Sequence, residues 1–375
     1  MLYALFAVLV GAGLLSLVGA RLMLRPATIR FRLPAQVSVG ETISVDVAVV
    51  PQVWPSKRHL LLLKSPYPFA LAQDVFLPVS GRSFVRKHRV LCTQRGFFRL
   101  CDATVTSAYP FGLAKLVRTW QVEPIAIAVY PRVYPGTAFS LPASSTRNSV
   151  DMEQPTPSLG QELFREVREY RRGDNPRHIH WRSSARHGSL VMKQFDAVAT
   201  SETWIVLDLD PASHAGSGED HTFERSLEIA ASIATHQIRS GLRCGVAGGL
   251  GANGAPRILI APSTGNAHLQ ALLEALAAVR ADYAIPYATV LDNLSPHYRA
   301  GQQWILFKDV GQRVVAPAFL QKQRAPFWFR IDTDSFVAGD LSERIQLERK
   351  LLPPVRQSDG YAIGRDTDLS LLFMS

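Results

Sequence analysis

Asp208-Leu209-Asp210-Pro211-Ala212-Ser213 is the stretch whose side chains come closest to a chemical constellation. Its two carboxylates and a hydroxyl offer oxygen-only ligands, which suit a hard cation such as Mg²⁺ or Mn²⁺. Zinc has no comparable recruiter. His178 and His180 flank Ile179, and residues two apart on a helix point to different sides and cannot share an ion. Ser183 and Ser184 have Asp residues elsewhere in the chain, but no GxSxG elbow and no spacing that would orient a base, so a hydrolase triad is a chance co-occurrence. Gly248-Gly249-Leu250-Gly251 with Gly254 opens no helix and carries no Lys-Ser/Thr, and reads as a hairpin turn rather than a phosphate loop. Cys92, Cys101 and Cys244 show no CxxC spacing, which excludes a zinc finger or a disulfide scaffold and fits a reducing compartment.

These residues need elements to hold them. Trp204-Ile205-Val206-Leu207 is a short buried strand, so Asp208 falls at the carboxyl edge where open α/β sheets bind ligands. Residues 223–239 place Leu227, Ala230, Ala231, Ala234 and Ile238 on one helical face, ending at a C-cap near Gly241. Strands are expected at 242–248, 257–261, 303–307 and 327–331, and helices at 266–280, 314–324 and 341–351. Such alternation predicts a doubly wound, mostly parallel α/β sheet with helices on both faces.

Upstream the period changes to two: Ile29, Phe31 and Leu33, then Ile43, Val45, Val47 and Val49, alternate with polar residues. Further runs at 59–64, 84–92, 97–106 and 125–130 complete an all-β, immunoglobulin-like sandwich over 27–133. Residues 134–160, dense in Pro, Ser, Thr and Gly, read as a linker. The α/β region with the segment leading into it occupies 161–351, and 352–375 is a C-terminal tail.

Residues 1–20, MLYALFAVLVGAGLLSLVGA, carry no charge. As a helix they rise about 30 Å, the thickness of a hydrocarbon core. Residues 1–24 are therefore expected to be a transmembrane anchor in contact with lipid. Arg21, Arg25 and Arg30 follow the run, unlike the basic start of a signal peptide, and the positive-inside rule puts the bulk of the chain in the cytoplasm. The 375 residues are 47% hydrophobic and 19% charged, with mean hydropathy +0.05, which excludes a disordered chain and a polytopic membrane protein. Lys plus Arg number 41 against 31 Asp plus Glu. That excess is spread among acidic residues over 160–193, so no clustered basic face for nucleic acid is expected.

Residues 160–195 carry the most specific pattern. Gly173-Asp174-Asn175-Pro176 is a turn feeding a helix, with Asp174 as its cap and Gly188 at its C-cap. Arg168-Glu169-Tyr170, Gly173-Asp174, Arg177, Ile179, Trp181 and Ser184-Ala185-Arg186 match the signature REYxxGDxxRxIxWxxSAR, and the chain is identified as a member of the bacterial domain of unknown function fifty-eight family. Arg95-Gly96, Tyr109-Pro110-Phe111-Gly112-Leu113 and Val129-Tyr130-Pro131 resemble that family's pre-signature segment. The resemblance implies a membrane anchor, a β-sandwich and a von Willebrand factor A-like domain. It also implies partnership with a MoxR-type AAA+ ATPase and other membrane proteins. Members usually begin with two transmembrane segments, and one is visible here. Physically, the signature's charges around Tyr170, Ile179 and Trp181 read as a buried ion-pair network fixing the segment to the sheet, or as a surface that grips a partner.

The acidic loop also resembles a metal-ion-dependent adhesion site, DxSxS with a threonine and a second aspartate from later loops. Asp210 replaces the middle serine, and Ser213 comes one residue late. The resemblance points to Ser263, Thr264 and Asp309 as further ligands; a loop with solvated or helix-capping carboxylates is the plainer reading. The expected function is a non-enzymatic scaffold anchored in the bacterial inner membrane, a single-pass protein with its bulk cytoplasmic, acting in assembly or maturation of other proteins. Alternatives are a divalent-metal-dependent enzyme acting on phosphate-containing substrates, and a basic nucleic-acid-binding protein.

Overall fold

The computed structural model describes residues 1–24, 27–51, 59–64, 66–71, 74–79, 84–136, 162–169, 180–197, 202–218, 220–250, 255–282, 284–299, 301–309, 316–321, 325–337, 352–357 and 359–374. It begins with α1 (Leu2–Met23), one helix long and apolar enough to cross a membrane. Almost every side chain of α1 is exposed; Ser16 and Ala20 are its buried residues.

Nine strands follow: β1 (Ala27–Arg32), β2 (Gln36–Ser38), β3 (Thr42–Pro51), β4 (His59–Leu63), β5 (Ala70–Leu71), β6 (Val75–Val79), β7 (Phe84–Cys92), β8 (Gly96–Ser107) and β9 (Leu116–Tyr130). They form one curled sheet in the order β5-β7-β3-β1-β9-β8-β4-β6, with β2 also on β9. The predicted alternation holds: Ile29 and Phe31 on β1, and Ile43, Val45, Val47 and Val49 on β3, are buried in one core with Leu61, Leu63, Val105 and Trp120. β9 pairs with β1 only at Ile29↔Val122, and its pairing with β8 is irregular between Leu100 and Asp102. Pro124, which has no N–H, lies in that irregularity, and such interruptions bend a strand. The long β9 thereby carries the sheet from one side of the core to the other.

A two-stranded hairpin of β10 (Glu162–Glu169) and β11 (Val191–Ala197) encloses α2 (Trp181–His187). The α/β unit then begins with β12 (Thr203–Leu207), two short strands β13 (Gly216–Ser217) and β14 (Asp220–His221), and α3 (Thr222–Arg239). It continues with β15 (Cys244–Leu250), β16 (Pro256–Ser263), α4 (Asn266–Ala278), α5 (Tyr287–Asn293), β17 (Gln303–Asp309), α6 (Ala318–Gln321), β18 (Phe327–Ile331), α7 (Thr333–Val337), β19 (Val355–Gln357) and β20 (Gly360–Ile363). The sheet order is β16-β15-β12-β17-β18-β20-β19, with β15, β12, β17, β18 and β20 parallel and the two edge strands antiparallel. Alternate residues of β12 serve two cores: Ile205 and Leu207 face α3 and α4, while Trp204 and Val206 face α5 and Leu320 of α6. Gly241, with φ +77, follows α3 as the C-cap pattern predicts.

The structure corrects several expectations. Residues 134–136 are not linker: Tyr134 belongs to the α/β core, where its N–H donates to Ser232 Oγ and its hydroxyl to Glu228. The expected linker beyond it, 137–160, lies outside the described residues. Residues 352–375 are not a mere tail, because β19 and β20 extend the sheet and Leu369, Leu372 and Phe373 are in its core. An exposed edge at β18 would leave backbone groups unpaired, and β20 satisfies them. Of the helix expected at 314–324 only Ala318–Gln321 is helical among the described residues, and 341–351 lies outside them.

Candidate functional site

The order of strands reverses at β12: the chain runs outward to β15 and β16, then returns to lay β17 on the other side of β12. Open α/β sheets bind ligands in the crevice at such a switch point, beyond the carboxyl ends of the strands. Asp208 follows β12 and Asp309 ends β17, so both acids stand at that crevice. Together with Ser213, His214, Thr222 and Lys308 they line a cavity of about 10 Å³. That is about the room one water needs.

Asp208 is 4% exposed. Its Oδ1 accepts from the Asp210 N–H at 3.0 Å, and its buried Oδ2 has no hydrogen-bond partner. Burial pushes the carboxyl up to about 6, against the opposing Asp210 N–H and Ser213 hydrogen bonds. His214 roofs the loop. Its Nε2 lies 3.0 Å from the Asp208 carbonyl, an acceptor, so Nε2 carries the proton and Nδ1 accepts from the Thr222 hydroxyl at 3.2 Å. Thr222 in turn accepts from the Ala215 N–H. Burial is the first cause that lowers His214, to about 4, so the imidazole is neutral at pH 7.

Three of the six expected cation ligands therefore meet, namely Asp208, Ser213 and Asp309, and three do not. Asp210 accepts from the Ala212 N–H and caps the 3-10 turn Pro211–Ser213, as the plainer reading supposed. Ser263 pairs with Cys244 at the start of β15, the opposite edge of the sheet from Asp208, and Thr264 follows it there. The reason is the direction of β16: a strand antiparallel to its neighbours delivers its carboxyl end to their amino ends. Asp309 Oδ1 is taken by the N–H and hydroxyl of Thr333, at 3.1 and 2.6 Å. Among the described residues no group of three or more His, Cys, Asp or Glu is arranged to hold a metal. A hard divalent cation takes six or more oxygens. This crevice, with two carboxylates and space for one water, does not fit one. Sequence reasoning passed over His214, which directly follows Ser213, and Thr333, which lies two residues beyond the strand end at Ile331.

The second candidate is the signature. Arg168 and Glu169 lie on β10, paired with Met192 and Val191 of β11. Tyr170, Gly173, Asp174, Arg177 and Ile179, with His178, lie outside the described residues. The cap of α2 is His180, whose Nδ1 accepts from the Ser183 N–H at 3.1 Å; Asp174, the expected cap, lies outside the described residues. Gly188 closes the helix with φ +65, as expected. Ser184 is buried: its Oγ accepts from the Val191 N–H at 2.8 Å and donates to the His180 carbonyl, tying α2 to β11. Trp181 departs from the expected buried network. It is 67% exposed, and Arg182, Arg186 and Leu190 of the same segment are exposed too.

Arg95, from the pre-signature segment, joins the two halves. Its Nε and Nη2 donate to Glu224 of α3 at 2.7 and 3.0 Å, and its Nη1 donates to the carbonyls of Leu276, Ala277 and Val279 at the end of α4. A guanidinium there satisfies carbonyls that a helix end leaves open.

Residues 166–306 match the family model described as "Protein of unknown function DUF58". The "Uncharacterized protein YeaD" of Bacillus subtilis (strain 168) is 22% identical over 217 residues, 58% of this chain and 51% of that protein. The chain thus spans about half the length of the curated relative it matches. Among solved structures, the CARDB domain of the PF1109 protein from Pyrococcus furiosus, in complex with di-metal ions, covers 28% of this chain and 91% of its own at 13% identity. Its TM-score of 0.18 is too low to bear on fold or function. The residues from Arg168 to Arg186 that carry the signature, the switch-point Asp208 and the strands β12 and β15 all fall inside the span that matches the DUF58 family model.

Proposed function

We propose that this protein is a membrane-anchored, non-enzymatic interaction protein of the bacterial inner membrane, with its bulk in the cytoplasm. In this reading the curled sheet is an immunoglobulin-like spacer and the α/β unit a von Willebrand A-like interaction module. Its partners are a MoxR-type AAA+ ATPase and other membrane proteins, and with the ATPase it acts in assembly or maturation of other proteins. The observation that carries the reading is Trp181, an exposed indole on a helix tied to β11 by Ser184, with Arg182 and Arg186 of the same helix exposed as well. Trp and Arg are the residue types that dominate binding energy at protein interfaces, and a rigid mount lowers the entropy cost of docking.

The crevice at the switch point, about 10 Å³, does not itself admit a phosphate-containing substrate. The test uses the full chain in detergent and the MoxR-type ATPase of the same genome, with binding read by interferometry. Trp181→Ala and Arg186→Glu should each weaken capture at least tenfold while leaving the melting temperature unchanged. Unchanged capture by both variants, or no capture by the wild type, removes this reading.

A further inference from the structure

We propose that the tip between β8 and β9, Ala108 to Ala114, enters the same bilayer that α1 spans and forms a second, shallow membrane contact. The inference rests on the reading of α1 as a membrane helix. Three observations carry it.

The first is where the tip sits. The Ala114 N–H donates to Ser16 Oγ at 3.3 Å, and a Cβ added to Gly19 would meet Pro110 Cδ at 3.0 Å and the Tyr109 carbonyl at 3.2 Å. The tip is therefore packed on the side of α1, level with Ser16 to Gly19, within the charge-free run. Ser16 is buried, and this contact gives its hydroxyl a partner.

The second is length. Were the tip held in water, everything in α1 from Ser16 onward would be in water too. Leu2 to Leu15 would remain, fourteen residues, rising about 21 Å at 1.5 Å per residue. A hydrocarbon core is about 30 Å thick. With the tip submerged, α1 spans with its full 22 residues, about 33 Å, and Arg21 lies near the headgroups.

The third is chemistry. No charged residue occurs between Asp102 and Lys115. Phe111 and Leu113 are 58% and 59% exposed, and Tyr109 is exposed beside them. Aromatic rings at headgroup depth and apolar side chains beneath suit the interface. Backbone polar groups at that depth must be satisfied by the protein. The Gly112 N–H donates to the Ala108 carbonyl at 2.8 Å, the Tyr109 N–H to Ser107 Oγ at 3.4 Å and the Ala114 N–H to Ser16.

The test is depth-resolved quenching in the full chain, in a Cys101→Ser background because Cys101 is the exposed native thiol. An NBD label is placed on Phe111→Cys or Leu113→Cys, on Leu9→Cys within α1, and on Phe97→Cys at the far end of β8. Each is reconstituted into phosphatidylcholine/phosphatidylglycerol vesicles carrying 5-doxyl or 12-doxyl lipid. Labels at 111 and 113 should be quenched by 5-doxyl lipid at least threefold more than the label at 97, and the label at 9 chiefly by 12-doxyl lipid. Quenching at 9 with labels at 111 and 113 no more quenched than 97 overturns the proposal and leaves the membrane helix standing. An unquenched label at 9 overturns both. Only lipid is present in the vesicles, so a protein partner covering the tip in cells would appear as the first of these failures.

Discussion

Replacing Asp208 with Asn removes one ionisable group from a crevice that is almost dry. Burial pushes this carboxyl from its usual 3.8 up to about 6. The folded chain thus holds the proton more tightly than the unfolded chain does. Such a group contributes stability that is fully present below the unfolded value and lost as pH rises through the folded one. A difference of about two pKa units at ~1.4 kcal/mol each makes the loss about 3 kcal/mol by pH 8. Asn keeps an oxygen to accept from the Asp210 N–H and cannot ionise. Asp208→Asn should therefore be about 2–3 kcal/mol more stable than wild type at pH 8, with the advantage vanishing near pH 4. Urea unfolding of the full chain in detergent, followed by tryptophan fluorescence at pH 4, 6 and 8, measures this directly. His214 acts in the opposite sense: its value is lowered to about 4, so its contribution is present above 6.5 and lost as pH falls through about 4. Wild type and Asp208→Asn share that arm, and their difference isolates Asp208. A difference that stays flat from pH 4 to 8 would refute the burial argument. An Asn variant less stable at pH 8 would mean that a cation or a donor holds Asp208 ionised.

Four further outcomes are expected. Arg95→Ala should destabilise the chain by about 2–3 kcal/mol, because Glu224 and three α4 carbonyls lose their donor at a site where Arg95 is 9% exposed. Arg95→Lys should recover only part of this in the same urea titration, since an ammonium lacks the planar fork. Ser184→Ala should cost about 1–3 kcal/mol by leaving the Val191 N–H without its acceptor, read as raised hydrogen exchange in β11. A C-terminal fusion should fluoresce as a cytoplasmic reporter and stay inactive as alkaline phosphatase; the reverse would turn the chain around in the membrane.

Local pattern alone made much of this molecule legible. The charge-free run of residues 1–20, the period-two burial of Ile43 to Val49, the buried strand Trp204–Leu207 and the amphipathic face of α3 each follow from side chains a few residues apart, and each appears as read. Asp208 was also found at a carboxyl edge, because the end of a strand can be read from the strand itself.

What lay beyond reach depended on contacts distant in the chain. Ser263 and Thr264 look equivalent to Asp309 in the sequence, but β16 runs against β15 and carries them to the other edge of the sheet; strand direction is a property of the pair and is written in neither strand. Tyr134 and Phe373 sit in segments whose local pattern marks neither a strand nor a helix, and both are buried where their rings stack on each other, 6.2 Å apart, with α3 beneath. Trp181 is the converse, an indole whose type predicts burial and whose helix turns it to solvent. Hydrophobicity sets how much surface a side chain gains by leaving water, while the tertiary arrangement alone decides which surfaces remain to receive it.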